Sequence, residues 1–106
     1  MGVAVDAELS RAVRVYVTTR PHGFPHRDEA ALAATFGAEA AAILKSRVDA
    51  LLGELFGMPP PWLGRTEPME LIDLFRAAEA AVETQHPELD PEAVAALANY
   101  YTYCNK

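Results

Sequence analysis

Cysteine is almost missing from this chain: Cys104 is the only one in 106 residues. That excludes an intramolecular disulfide and leaves none of the close paired ligands that announce a zinc site. Cations are also scarce, with nine Lys and Arg against fifteen Asp and Glu, for a net charge of −6. Direct nucleic-acid binding needs a basic footprint to displace counterions from phosphates, and this composition is its reverse. An anionic membrane is disfavoured on the same grounds. No run of residues approaches the length needed to cross a bilayer. The first residues carry Asp6, Glu8 and Arg11 and lack the apolar stretch of a secretory leader, so the expected location is cytoplasmic. Six glycines are scattered singly, which leaves no phosphate-cradling loop, and neither Ser10 nor Ser46 sits in a glycine elbow. Nothing here calls for a cofactor, and the expectation is that the protein is not an enzyme.

What is present points to helices. Hydrophobic residues make up 51% of the chain, alanine is abundant, and β-branched residues are sparse outside residues 13–19. The length fits one domain, residues 1–106, able to bury about 65% of its unfolded surface. Asp6 is a competent cap ahead of Ala7-Glu8-Leu9, and Leu9, Val13, Tyr16 and Val17 follow helical spacing. Val13, Val15 and Val17 also alternate as a strand would. A lone strand has no evident partner elsewhere, so helix is the expectation for residues 6–20. Two prolines and a glycine in Arg20-Pro21-His22-Gly23-Phe24-Pro25-His26 then break it, with Phe24 expected to plug the core.

Asp28 opens a short helix that should end near Phe36, with Gly37 as a left-handed stop. Residues 38–56 form the longest amphipathic run, its stripe drawn by Ala40, Leu44, Val48, Leu51 and Leu55 and widened by Leu52 and Phe56. Three consecutive prolines follow, and they present Trp62 either as a lid over the core or as an exposed anchor. Thr66-Glu67-Pro68 reads as the next helix start, leading into an apolar stripe of Leu71, Phe75, Ala78 and Val82 supported by Ile72, Leu74 and Ala81. His86-Pro87 ends it, and Asp90-Pro91-Glu92 starts the last helix, lined inside by Val94, Leu97, Ala98 and Tyr101. The expected fold is all-α, a single-domain irregular bundle of four to five helices.

Charge is unevenly placed. Residues 1–53 hold six basic and six acidic groups, whereas residues 54–106 hold three basic and nine acidic. Glu70, Asp73, Glu79 and Glu83 recur every few residues along one helix, offset by Arg76 alone. General acid–base chemistry needs two carboxylates in different environments across a cleft, which a row on one helix face does not supply. Such a row is either a solvated surface or a face for a basic partner. Tyr100 and Tyr103 stand three apart and, with Trp62, are the candidate aromatic contacts. His22 and His26 are separated by Gly23 and Pro25, which defeats a helical ligand pair, and Cys104 has no neighbouring base. No metal is expected.

The stretch His86-Pro87-Glu88-Leu89-Asp90-Pro91-Glu92-Ala93-Val94, followed by Leu97-Ala98-Asn99-Tyr100-Tyr101-Thr102-Tyr103, resembles the tail of small helical bacterial immunity proteins. Those proteins neutralise toxins of contact-dependent or polymorphic systems by binding them directly. The likeness implies direct binding of a protein partner, a toxin or other effector; the acidic half of the chain points to a basic surface on it, with Glu70, Asp73, Glu79, Glu83, Trp62, Tyr100 and Tyr103 as the candidate contacts. Two alternatives share the profile: a phage-encoded inhibitor of a host defence protein, and a homo-oligomeric helical module with structural or regulatory work. Monomer and homodimer both remain open at this point.

Overall fold

Five helices and one two-stranded ribbon make up the computed structural model over the residues it describes, 4–20 and 23–105. The fold is an all-α bundle, and among the described residues no helix is long and apolar enough to cross a membrane. Helix α1 (Ala7–Tyr16) starts where Asp6 accepts the Leu9 N–H at 3.0 Å. It buries Leu9, Ala12, Val13 and Tyr16. The chain then straightens: β1 (Val17–Thr18) pairs antiparallel with β2 (His26–Arg27), Val17 opposite Arg27 and Thr18 opposite His26. The segment 6–20 is therefore helix followed by a short strand. The partner that the sequence seemed to lack lies inside the proline-rich break, whose turn brings the chain back beside β1.

Helix α2 (Glu29–Phe36) is capped by Asp28, which accepts the Ala31 N–H at 2.9 Å. Gly37 alone links it to α3 (Ala38–Gly57). Its φ of 87° and ψ of 158° lie outside the left-handed helical well expected for a stop. This region is open essentially to glycine alone, and it lets one residue end one helix and begin the next. Helix α3 buries Ala41, Leu44, Val48, Leu51, Leu52 and Leu55. The stripe thus passes through Ala41 in place of Ala40, and Phe56 at its edge stays 40% exposed.

Residues 58–70 are a non-helical connector with two tight turns, where the Leu63 N–H donates to the Pro60 carbonyl and the Arg65 N–H to the Trp62 carbonyl. Helix α4 (Leu71–Gln85) starts five residues later than Thr66 suggests. Pro68 disfavours helical backbone at Glu67 and has no N–H to offer, and Glu70 flanks the helix without a side-chain cap. The start leaves Leu71 in the first turn, in line with Ala78 and Val82 but at the uncovered end of their face. Leu74, Ala78 and Val82 are buried at steps of four, Phe75 is half-buried, and Leu71 and Ile72 are each 51% exposed.

Helix α5 (Pro91–Cys104) packs on α4 as a helical hairpin, the most extensively packed pair in the molecule. Asp90 accepts the Ala93 N–H at 2.8 Å, and Pro91 takes the first helical position, where its missing donor costs nothing. Ala93, Val94, Leu97, Ala98, Tyr101 and Thr102 point inward. Full burial of each large aliphatic side chain contributes about 1.5–3 kcal/mol. Ala12, Ala78, Ala93 and Ala98 are wholly buried, and their small side chains let the helices approach closely. The turn between α4 and α5 is bolted to α1. The Asp6 N–H donates to the Glu88 carbonyl at 2.7 Å, and the Asp90 N–H donates to Ser10 Oγ at 3.0 Å, which satisfies a fully buried hydroxyl.

Candidate interaction surface

The four carboxylates of the acidic row keep to the outside of α4. Glu70, Asp73 and Glu83 are exposed and Glu79 is half-buried. Among the described residues none of the four makes an ion pair, and neither does Arg76. Glu8, Glu29, Glu39 and Glu67 are likewise exposed without an ion pair among the described residues, whereas several other carboxylates are tied down. Asp6 meets Arg47 at 3.3 Å, and Arg14 pairs with Asp90 and, at 3.8 Å, with Glu92. Asp49 receives Lys45 at 2.8 Å, Arg27 at 3.2 Å and the Tyr16 hydroxyl at 3.0 Å.

That Asp49 hub is a feature the sequence did not advertise, because its members come from α1, β2 and α3. Burial works to raise the Asp49 pKa, but hydrogen bonds from Lys45 and Tyr16 and the nearby cations outweigh it, and the net direction is down. Tyr16 moves up, first because it is buried and then because Asp49 accepts its proton. Asp90 also falls, since the bonds from the Ala93 N–H and Arg14 overcome its burial.

Trp62 stands 41% exposed in the first turn of the connector, beside Leu63 at 72%. It is thus a partly uncovered side chain and not a buried lid. Tyr100 and Tyr103 gather a different company from the α4 acids. The Tyr100 hydroxyl accepts from Arg27 Nε at 3.2 Å, the Arg27 guanidinium lies 5.5 Å from its ring centre, and the Phe56 ring meets it edge-on at 6.0 Å. Tyr103 stacks on Phe24 with centroids 6.3 Å apart. Phe24, expected as a core plug, is 46% exposed and sits on that tyrosine. Tyr101 is 3% exposed, as its place in the α5 stripe requires. Phe24, Phe56, Tyr100 and Tyr103 thereby form an aromatic ledge from three separate parts of the chain.

Each of the two described histidines has a hydrogen-bond partner. His26 Nδ1 lies 3.1 Å from the Phe24 carbonyl, and His86 bridges Glu88 at 3.1 Å and Glu54 at 2.5 Å through its two ring nitrogens. Those contacts spread the two carboxylates to opposite sides of the ring instead of converging on one point. Cys104 is exposed near the end of α5, and His22 lies outside the described residues. Among the described residues no group of three or more His, Cys, Asp or Glu side chains could hold a metal ion.

Phe56, Leu71 and Ile72 are exposed residues that sequence periodicity placed on core-facing stripes. For Leu71 and Ile72 one signal was Pro68, which delays the start of α4 and puts both in its first turn. Comparison with known proteins adds no relative, since no family model, no curated protein and no solved structure matches this chain.

Proposed function

We propose that this protein acts by direct, stoichiometric binding to another protein, as an inhibitor of a basic effector in the manner of a toxin-neutralising immunity protein. The observation that carries the reading is the row of carboxylates on α4 with no ion-pair partner among the described residues. Charges already paired within the fold have their fields largely cancelled, whereas unpaired ones reach outward and speed encounter with an oppositely charged surface. The resemblance of residues 86–103 to immunity-protein tails supports the same reading. Occlusion of a cationic active site by an acidic surface requires no bond-making by the inhibitor.

Co-expression tests the proposal. The C-terminal domain of the polypeptide encoded immediately upstream should arrest growth when produced alone, and this chain should restore growth and form a complex of fixed stoichiometry. The Glu79→Lys/Glu83→Lys variant should fold normally and associate about tenfold more slowly, the lower end of the steering effect. Raised salt should slow the unaltered protein in the same way. Association indifferent to both changes would overturn the role given to α4.

A further inference from the structure

Nine large hydrophobic side chains are exposed among the described residues, and four of them, Trp62, Leu63, Leu71 and Ile72, fall within the stretch 62–73. Leu71 and Ile72 are consecutive, so at the start of α4 two large aliphatic side chains are uncovered side by side. The same stretch carries Glu67, Glu70 and Asp73 against Arg65, so its apolar groups are set in net negative charge. Leu71 and Ile72 lie in the first turn of α4 directly between Glu70 and Asp73, each about half uncovered.

Three kinds of cover can be compared by charge. A second copy meeting this face about a two-fold axis would set one net acidic patch against another, which repels. A membrane leaflet rich in anionic lipid repels them too. A protein segment with an aliphatic residue flanked by lysine or arginine satisfies both the apolar and the acidic groups.

We infer that residues 70–73, at the start of α4, are a docking surface for a basic amphipathic segment of a partner protein, with Leu71 and Ile72 as the apolar anchors and Glu70 and Asp73 holding the flanking cations. This rests on the binding role proposed above, and it replaces Tyr100 and Tyr103 as the short-range contacts of the acidic surface. Steering by charge sets the rate of approach, and burial of the two aliphatic side chains sets how long the complex lasts.

Two synthetic peptides of equal length and charge serve as probes, one alternating leucine with lysine and one with serine in place of leucine. Titration into labelled protein, followed by amide chemical shifts, should give about tenfold tighter binding of the leucine peptide, equivalent to one decade in Kd. The shifts should centre on residues 70–73. Leu71→Ser/Ile72→Ser, at sites already half exposed, should keep the native spectrum and reduce the leucine peptide to the affinity of the serine one. Glu70→Gln/Asp73→Gln should weaken both peptides and flatten their salt dependence.

Equal affinity of the two peptides, or shifts centred elsewhere, would overturn the inference. So would a dimer in sedimentation that Leu71→Ser/Ile72→Ser dissolves, or retention on anionic vesicles. If the Glu79→Lys/Glu83→Lys variant still slows the effector complex while Leu71→Ser/Ile72→Ser leaves its lifetime unchanged, the docking inference alone fails. Loss of both effects removes the parent proposal as well.

Discussion

Asp90 and Glu83 lie close together in the chain, yet their carboxylates are used in opposite ways. Asp90 caps α5, pairs with Arg14 and through its N–H reaches Ser10, so it joins the helical hairpin to α1. Glu83 sits on the exposed side of α4 with no ion pair among the described residues. The contrast extends to whole regions. Around α1, α3 and the α4–α5 turn, Asp6, Asp49 and Asp90 are spent on caps and ion pairs that hold elements together. From Trp62 to Glu83, acids and several large apolar groups are left facing outward. A carboxylate engaged on both oxygens has little field to offer a partner, whereas an unengaged one contributes little to folding and much to encounter.

Substitutions that separate the two regions should rank by how much structure each residue holds. Leu97→Ala, at a side chain 1% exposed, should lower unfolding free energy by about 3 kcal/mol in urea melts. Ile72→Ala should change it by less than about 1 kcal/mol, because half of that side chain is already in water. A loss at Ile72 as large as that at Leu97 would mean that α4 is anchored through its first turn, and the division drawn here would fail.

Asp90→Ala should follow, at about 2 kcal/mol: about 1 for the helix cap and up to about 1 for the partly solvated pair with Arg14. Amide exchange should show the added opening concentrated at the start of α5. Protection lost evenly throughout would show that the cap is no local fastening.

Acid should act through the same region. Asp49 and Asp90 have lowered pKa values in the fold, so the unfolded chain takes up their protons first as pH falls. Their contribution is complete above the unfolded aspartate value of about 3.9 and is lost as pH drops through the folded values. Asp49→Asn/Asp90→Asn should be less stable at neutral pH and should show a shallower further loss below about pH 4. Melts as steep as those of the unaltered protein in that range would break the link between these ties and acid sensitivity. The smallest effect belongs to Glu83→Lys, which should shift stability by no more than about 0.5 kcal/mol. Its consequence should appear in association rate.

Much of the fold was legible because its signals are local. Asp6, Asp28 and Asp90 each cap an N–H three residues ahead, a reach that depends on nothing distant. The α5 stripe of Val94, Leu97, Ala98 and Tyr101 is buried as its spacing implied. Where the reading slipped, a neighbour intervened. Thr66 did not start α4 because Pro68 restrains the residue before it, and the shift left Leu71 and Ile72 in an exposed first turn. Val17–Thr18 found a strand partner only after the chain doubled back at residues 23–27. Of the candidate contacts, the position of the α4 acids followed from helical spacing. Phe24 and Tyr103, or Phe56 and Tyr100, could not be paired from a sequence that separates them widely.

Composition, periodicity and capping residues were enough to establish an acidic all-helical chain and most of its helix ends, because those preferences act within one turn of backbone. Which carboxylates are tied and which are left outward, and which rings share a ledge, depended on packing between elements distant in the chain. Ion pairs and ring contacts need atoms within a few ångströms, and that proximity is created only when the helices close on one core.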